Sequence, residues 1–244
     1  MAALLEVERL HKSFGGLKAV NDVSFAVEAG GIIGLIGPNG AGKSTLFDLL
    51  SGVQRPTSGR VCFRESDISG WSAHRVAGLG MSRTFQKVRV FPGMTVLGNA
   101  MVGAFLHTNH AGEARTRAQE ALRMVDFPDD VLHRTTRSLT LVDRKRLEMA
   151  RALCTNPSLL LLDEVLAGLN PHEITLALDL IRRLNQAGVT LIVVEHLLRV
   201  IMELSQRVLV MDYGELIADG KPEAVRKDPK VIKAYIGGAE DSHA

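Results

Sequence analysis

Nine consecutive residues constrain this chain more than any others: Gly37, Pro38, Asn39, Gly40, Ala41, Gly42, Lys43, Ser44 and Thr45. They fit the pattern G-x-x-x-x-G-K-[ST], for which a chance match in a chain of this length is about one in a hundred. An apolar run at residues 31–36 leads into the loop, and Leu46, Phe47, Leu49 and Leu50 follow at helical spacing before Gly52. The loop therefore sits between a predicted strand and a predicted helix. Glycines there let backbone N–H groups converge on phosphate oxygens without Cβ obstruction, and the helix start turns its positive end to the same anion. Lys43 is placed to neutralise β- and γ-phosphates, and the Ser44 hydroxyl to ligate Mg²⁺. The plain alternative is a glycine-rich turn with a solvated lysine.

The rest of the chain fits a globular α/β protein. Its 244 residues are 46% hydrophobic and 23% charged, which excludes a disordered chain, a collagen-like repeat and a coiled-coil rod. A net charge of +2 gives no footprint for nucleic acid, and none is expected as a partner. The 2 cysteines, Cys62 and Cys154, cannot build a disulfide framework and lie in apolar surroundings, so they are expected to be inert packing residues in a reducing compartment. The opening residues lack a basic n-region and meet Glu6 and Glu8 at once, unlike a signal peptide. No apolar run approaches the roughly 20 residues of a membrane span, so a soluble, cytosolic chain is expected.

Strands alternating with helices favour a parallel sheet with crossovers. Residues 4–10 and 19–27 alternate apolar and polar side chains and read as an antiparallel β layer. Strand character returns at 158–163, 189–194 and 207–211. A helix is expected from about 172 to 187, closed by Gly188, and a hairpin turn at Tyr213-Gly214-Glu215. The stretch 95–152 has helical periodicity and no convincing strand, so it reads as a helical subdomain inserted into an α/β core. The expected division is 1–94 and 153–237 for the two parts of the core, 95–152 for the insert, and 238–244 for a frayed tail.

A second chemical feature is the apolar run 159–162 ending in Asp163-Glu164. Ligands bind at the C-terminal edge of a parallel sheet, so Asp163 is placed to enter the Mg²⁺ coordination sphere and Glu164 to polarise an attacking water. Alternatively, the pair is a solvated strand end. Another predicted strand ends in Glu195-His196, which brings His196 toward the γ-phosphate if that strand neighbours the one before the loop. A histidine at a strand end is otherwise structural. His107 and His110 stand at i,i+3 without a nearby cysteine or carboxylate, a poor metal set.

In that order, the phosphate loop, Arg83-Thr-Phe-Gln86, Asp163-Glu164 and Glu195-His196 resemble the ATP-binding cassette (ABC) transporter ATPases, over about residues 4–237. Residues 14–20, 83–86, 94–99, 167–171, 195–196 and 231–237 are most similar to the branched-chain amino-acid type. The resemblance implies a P-loop ABC cassette: a RecA-like core, an N-terminal antiparallel β layer and an inserted helical subdomain. It implies an Mg-dependent ATPase, with ATP and Mg²⁺ bound, that drives uptake of branched-chain amino acids or a related small solute. Phe14 is similar to the aromatic that stacks on adenine, the alternative being a core phenylalanine. Gln86 is similar to the glutamine that touches Mg²⁺ and signals to the membrane subunit, and His196 to the γ-phosphate switch. The implied partners are permease subunits, a second cassette and, indirectly, a solute-binding protein, with the chain peripheral on the inner face of the plasma membrane. A regulatory cassette with little hydrolysis, or a soluble ABC protein unrelated to transport, are the alternatives.

The family signature Leu-Ser-Gly-Gly-Gln aligns with Leu139-Thr140-Leu141-Val142-Asp143, anchored by the helix that follows. Both glycines and the glutamine are absent. In the family this segment meets the γ-phosphate held by the opposite subunit, and Asp143 would bring an anion toward an anion. At an effective dielectric near 20, like charges at 4 Å cost about 4 kcal/mol before screening. Thr140 to Asp143 also fits an S/T-x-x-D/E capping box, which would satisfy the helix's own N–H groups. The intact cradle beside an altered signature implies an asymmetric heterodimer of cassettes, a homodimer being the alternative. Val165 stands where the family has proline. Asn170 replaces the usual aspartate of the inter-subunit loop. Arg134, Arg137, Arg144, Lys145 and Arg146 are expected to form a solvated helix face, the alternative being a binding patch.

Overall fold

The computed structural model describes residues 3–237. In chain order the elements are β1 (Leu5–Phe14), β2 (Leu17–Val27), β3 (Ile32–Ile36), α1 (Lys43–Leu50), β4 (Ser58–Phe63), β5 (Ser66–Asp67), α2 (Ala73–Leu79), β6 (Met81–Arg83), α3 (Val96–Ala104), α4 (Ala111–Met124), α5 (Leu141–Leu153), β7 (Leu159–Asp163), α6 (Pro171–Gln186), β8 (Thr190–Val194), α7 (Leu198–Leu204), β9 (Arg207–Asp212), β10 (Glu215–Gly220), α8 (Pro222–Val225) and α9 (Pro229–Gly237). The described residues divide between two compact units, residues 3–76 with 190–237 and residues 77–189.

The first unit holds both expected β architectures. The order β2-β1-β4-β5 is an antiparallel sheet, in which alternating burial along β2 puts Val23, Phe25 and Val27 inside. In the other sheet β3 runs parallel to β8 on one side and β9 on the other, and β10 returns antiparallel to β9. β3 and β8 are buried at every position, which is why they read as unbroken apolar runs and not as alternating strands. The hairpin between β9 and β10 turns on Tyr213 and Gly214, at φ 44° and 83° with Asp212 opposite Glu215, the geometry of a two-residue primed turn.

In the second unit β6 pairs parallel with β7, which is buried throughout. The stretch 95–152 contains α3, α4, α5 and two short 3-10 turns, at Asp129–Val131 and Thr136–Ser138, with a single bridge between Thr95 and Thr135. Helix α6 starts at Pro171, one residue earlier than its periodicity suggests. Asn170 caps it with a complete capping box: its side chain accepts from the Glu173 N–H (3.0 Å) and Glu173 Oε2 accepts from the Asn170 N–H (2.8 Å).

Sequence patterning gave no element between 53 and 94, where the structure has β4, β5, α2 and β6. β4 is exposed over its first half and buried over its second, so it does not alternate, and β6 is 3 residues long. Helices α7, α8 and α9 were also unanticipated. The expected frayed tail, 238–244, lies outside the described residues.

Candidate functional site

In the first unit, β3 delivers the chain into the loop 37–45 and α1 carries it away. Two glycines make that path possible. Gly42, the N-cap of α1, has φ 100°, and a Cβ there would lie 2.2 Å from the Ala19 carbonyl oxygen. A Cβ on Gly37 would lie 2.1 Å from the Met211 carbonyl oxygen. The N-cap residue of α1 is a glycine and offers no side-chain acceptor to the helix start. The hairpin turn braces the loop from behind: Gly214 N–H donates to Ala41 O at 3.0 Å, and Asn21 N–H donates to Gly214 O at 2.8 Å.

Lys43 is 7% exposed, and its ammonium donates to the loop's own carbonyls, Gly37 O at 2.7 Å and Pro38 O at 2.9 Å. Asn39, Gly40 and Ser44 are exposed, Pro38 and Thr45 half-buried, Ala41 buried. Because β8 pairs with β3 in parallel, with Val194 beside Leu35, Glu195 and His196 emerge at the same sheet edge as the loop. Glu195 is buried and His196 exposed. Phe14 ends β1, is 46% exposed, and has the Lys12 ammonium 5.0 Å from its ring centroid. The core alternative for Phe14 is thereby excluded.

In the second unit, the strand end that carries the acidic pair is a dense polar cluster. Asp163 is buried and ion-paired with Arg83, whose Nη2 donates to Oδ2 at 2.9 Å. The Asp163 N–H donates to the Thr84 hydroxyl at 3.2 Å, and the Thr84 N–H donates to Leu161 O at 2.9 Å. The Arg83 guanidinium also lies 4.8 Å from the Phe85 ring centroid. One residue on, Glu164 has φ 51°, a left-handed conformation unusual for a side chain with a Cβ. Gln86 Nε2 donates to its Oε2 at 2.7 Å. Gln86, Asp163 and Glu164, picked out from separate stretches of sequence, thus belong to one cluster.

Two members of the cluster escaped sequence reasoning. Arg83 stands in the Arg83-Thr-Phe-Gln86 motif, which by itself assigns it no role. Lys145 was expected on a solvated face, and this is corrected: its ammonium donates to the carbonyls of Glu164 (3.1 Å), Val165 (3.0 Å) and Ala167 (2.7 Å). A backbone carbonyl leaves no mark in a sequence, so no signal could have identified these acceptors. The remaining basic residues behave differently: Arg134 pairs with Asp130 at the surface (3.6 Å), and Arg144 Nη2 donates to Arg137 O at 3.1 Å.

Helix α5 begins as its sequence suggests, with one difference. The Thr140 hydroxyl accepts from the Asp143 N–H at 3.2 Å, as a cap should, and donates to Asp143 Oδ2 at 2.8 Å. The second half of a capping box, a carboxylate reaching back to the N-cap N–H, does not form. Aspartate is one methylene shorter than the glutamate that closes the box on α6. The outcome is still an α5 N-terminus that carries its own carboxylate.

Farther along α5, Glu148 is buried, and desolvation holds its carboxyl above the usual range against the opposing pull of Arg151 and the N–H groups of Arg89 and Phe85. Burial likewise pushes the Cys154 thiol up to about 12 and raises Cys62. His107 Nε2 lies 2.8 Å from Thr155 O.

Hard oxygens occur in each unit: the Ser44 hydroxyl in the first, and in the second the Asp163 carboxylate and the side-chain carbonyl of Gln86, whose amide N–H₂ is turned to Glu164. Donors of this type suit Mg²⁺ and not a soft metal.

Comparison with known proteins bears on the family to which the chain belongs. The ABC transporter family model matches residues 20–167, and the branched-chain amino acid ATP-binding cassette transporter model matches 215–241. The high-affinity branched-chain amino acid transport ATP-binding protein BraF of Pseudomonas aeruginosa is 39% identical, covering 97% of this chain and 98% of its own length. LivG of Escherichia coli, of the same description, is also 39% identical over the same shares. Among solved structures, a nucleotide-free ATP-binding cassette from an ABC transporter superposes with TM-score 0.87 at 29% identity, over 96% of this chain and 99% of that one. The ADP conformation of an ABC transporter cassette gives TM-score 0.87 at 30% identity, over 97% and 100%.

Proposed function

The chain belongs to the ABC transporter ATP-binding family, in its branched-chain amino acid branch, and on that premise we propose that it is the ATPase subunit that powers uptake of branched-chain amino acids or a closely related solute. The observation that carries this reading is the loop 37–45, whose path requires glycine at 37 and 42 and which runs into the start of a helix with no side-chain cap.

Each residue has a role set by its chemistry. Loop N–H groups and the Lys43 ammonium bind the phosphates, and Lys43 exchanges its present carbonyl partners for phosphate oxygens. Phe14 offers an exposed ring face to adenine. Ser44, Asp163 and Gln86 would hold Mg²⁺, which when bound would neutralise charge developing on the phosphates. Glu164 orients the attacking water and accepts its proton, and His196 donates to the γ-phosphate. Phosphoryl transfer needs mainly positioning and charge neutralisation, which these groups supply.

The partners follow from the family. Permease subunits take up the work of nucleotide turnover, a solute-binding protein delivers the substrate, and the chain sits on the inner face of the plasma membrane. Among the described residues no helix is long and apolar enough to cross a membrane. The second cassette is a different chain carrying an intact signature. Asp143 next to the α5 N-terminus favours that asymmetry, because its carboxylate opposes a phosphate brought to the same helix end.

Titration calorimetry with Mg-ATP tests the cradle: Lys43→Ala abolishes tight binding, and unchanged affinity overturns it. ATP-dependent uptake of radiolabelled leucine by the assembled transporter tests the substrate class. Paired with its partner cassette, the double variant Val142→Gly, Asp143→Gln raises turnover at the partner's cradle. No rise rules out the asymmetry.

A further inference from the structure

Lys145 donates to main-chain carbonyls of Glu164, Val165 and Ala167, all within 3.1 Å. An ammonium has three N–H donors, and here each has an acceptor in the single loop that leaves β7. Carbonyl dipoles converging on one point repel each other, and a cation at the focus removes that repulsion. The loop it stabilises starts with Glu164 in the left-handed region, a strained conformation that persists only where its surroundings enforce it.

Glu164 is therefore held at both ends, its main chain by Lys145 and its carboxylate by Gln86. Helix α5 also reaches the segment after Gln86. Three residues beyond Lys145, Glu148 Oε1 accepts from the Arg89 N–H at 3.4 Å, and three further on Arg151 donates to Arg89 O. Residues spaced by three are neighbours on a helix surface. One face of α5 thus grips two backbone segments, one carrying the candidate base and the other following the glutamine bonded to it.

We propose that Lys145 is a positioning residue for ATP hydrolysis: it fixes the backbone of Glu164 so that the carboxylate is aimed at the attacking water. This rests on the reading of Glu164 as the base, and it concerns turnover and not nucleotide affinity. A misplacement of about 1 Å at a reacting group can cost on the order of a hundredfold in rate.

The test uses the transporter assembled with its permease and partner cassettes, and compares Lys145→Met, Lys145→Arg, Glu164→Gln and the double variant Lys145→Met, Glu164→Gln. The expected result for Lys145→Met is a kcat lower by about tenfold or more with the KM for ATP within about twofold, and Lys145→Arg recovers most of that loss. In the Glu164→Gln background, Lys145→Met costs nothing further, because the group it aims is already gone.

A raised KM with unchanged kcat, or losses that multiply in the double variant, overturns the positioning role. If Lys145→Met loses nucleotide binding, Lys145→Gln decides: an intermediate kcat at normal KM supports the role, and loss of binding there too assigns Lys145 to stability alone. Glu164→Gln separates the two readings. A large drop there with an unaffected Lys145→Met overturns positioning only, whereas an unaffected Glu164→Gln overturns the base assignment and the positioning role with it.

Discussion

Arg83 Nη2 lies 2.9 Å from Asp163 Oδ2, with the two side chains 7% and 2% exposed. A carboxylate this deeply buried would be strongly destabilised without a cation beside it. The fold itself therefore supplies a positive charge to the residue proposed to meet magnesium. Removing one partner of a buried pair leaves an uncompensated charge, so Arg83→Met is expected to cost about 3–5 kcal/mol in urea unfolding. Adding Asp163→Asn to that variant should recover a substantial part of the loss. Equal stabilities for Arg83→Met and the native chain would mean that the pair contributes nothing.

The same glycine-to-alanine exchange should have opposite signs at two positions. At Gly42 the backbone is left-handed and the Ala19 carbonyl oxygen lies 2.2 Å from where a Cβ would stand. Gly42→Ala is expected to lose about 1–3 kcal/mol from backbone strain alone, with a further loss from the clash, and to weaken Mg-ATP binding. Gly112, exposed in the first turn of α4, meets nothing within 4 Å. Gly112→Ala should raise stability by up to about 0.5–1 kcal/mol through restricted unfolded-state freedom. Denaturant titration of both variants is the check, and a stable, ATP-binding Gly42→Ala protein would contradict the cradle geometry.

What the sequence made legible was whatever is local in the chain. The loop 37–45 and the run ending in Asp163-Glu164 are contiguous, so composition and spacing reveal them together with the strands that present them. The cap of α5 was visible for the same reason, Thr140 and Asp143 being three residues apart. The Arg83–Asp163 pair spans 80 positions, and the Lys145 contacts end on carbonyls that every residue possesses. Neither is written in residue type. Strand β4 escaped because its burial changes along its length, and β6 because three residues carry no period.

Cys154 offers a direct probe of packing around the end of α5. Its thiol is pushed up to about 12 by burial, so at pH 8 the reactive thiolate is about one part in ten thousand. Cys62 is buried and raised by the same cause. Iodoacetamide at pH 8 should leave the folded chain unmodified over a period in which the urea-unfolded chain takes up two equivalents, as read by intact mass. Rapid labelling of the folded chain at Cys154 would mean that α5 opens locally.

Glu148 should leave a signature in the pH dependence of stability. Burial holds its folded carboxyl above the ordinary 4.5, chiefly by desolvation, and unfolding returns it to about that value. Between the two values the folded chain binds more protons than the unfolded one. The stability contributed is therefore fully present below 4.5 and is lost as pH rises through the folded pKa. Glu148→Gln cannot titrate, yet it keeps a carbonyl oxygen for the Arg89 N–H. Its pH-independent offset, including the weakened contact with Arg151, shifts the whole curve and leaves its slope alone. Urea unfolding of both proteins across pH 4 to 8 should thus give a stability difference, variant minus native, that grows from about pH 4.5 upward and then levels. Parallel curves over that range would show that Glu148 meets water in the folded chain as freely as in the unfolded one.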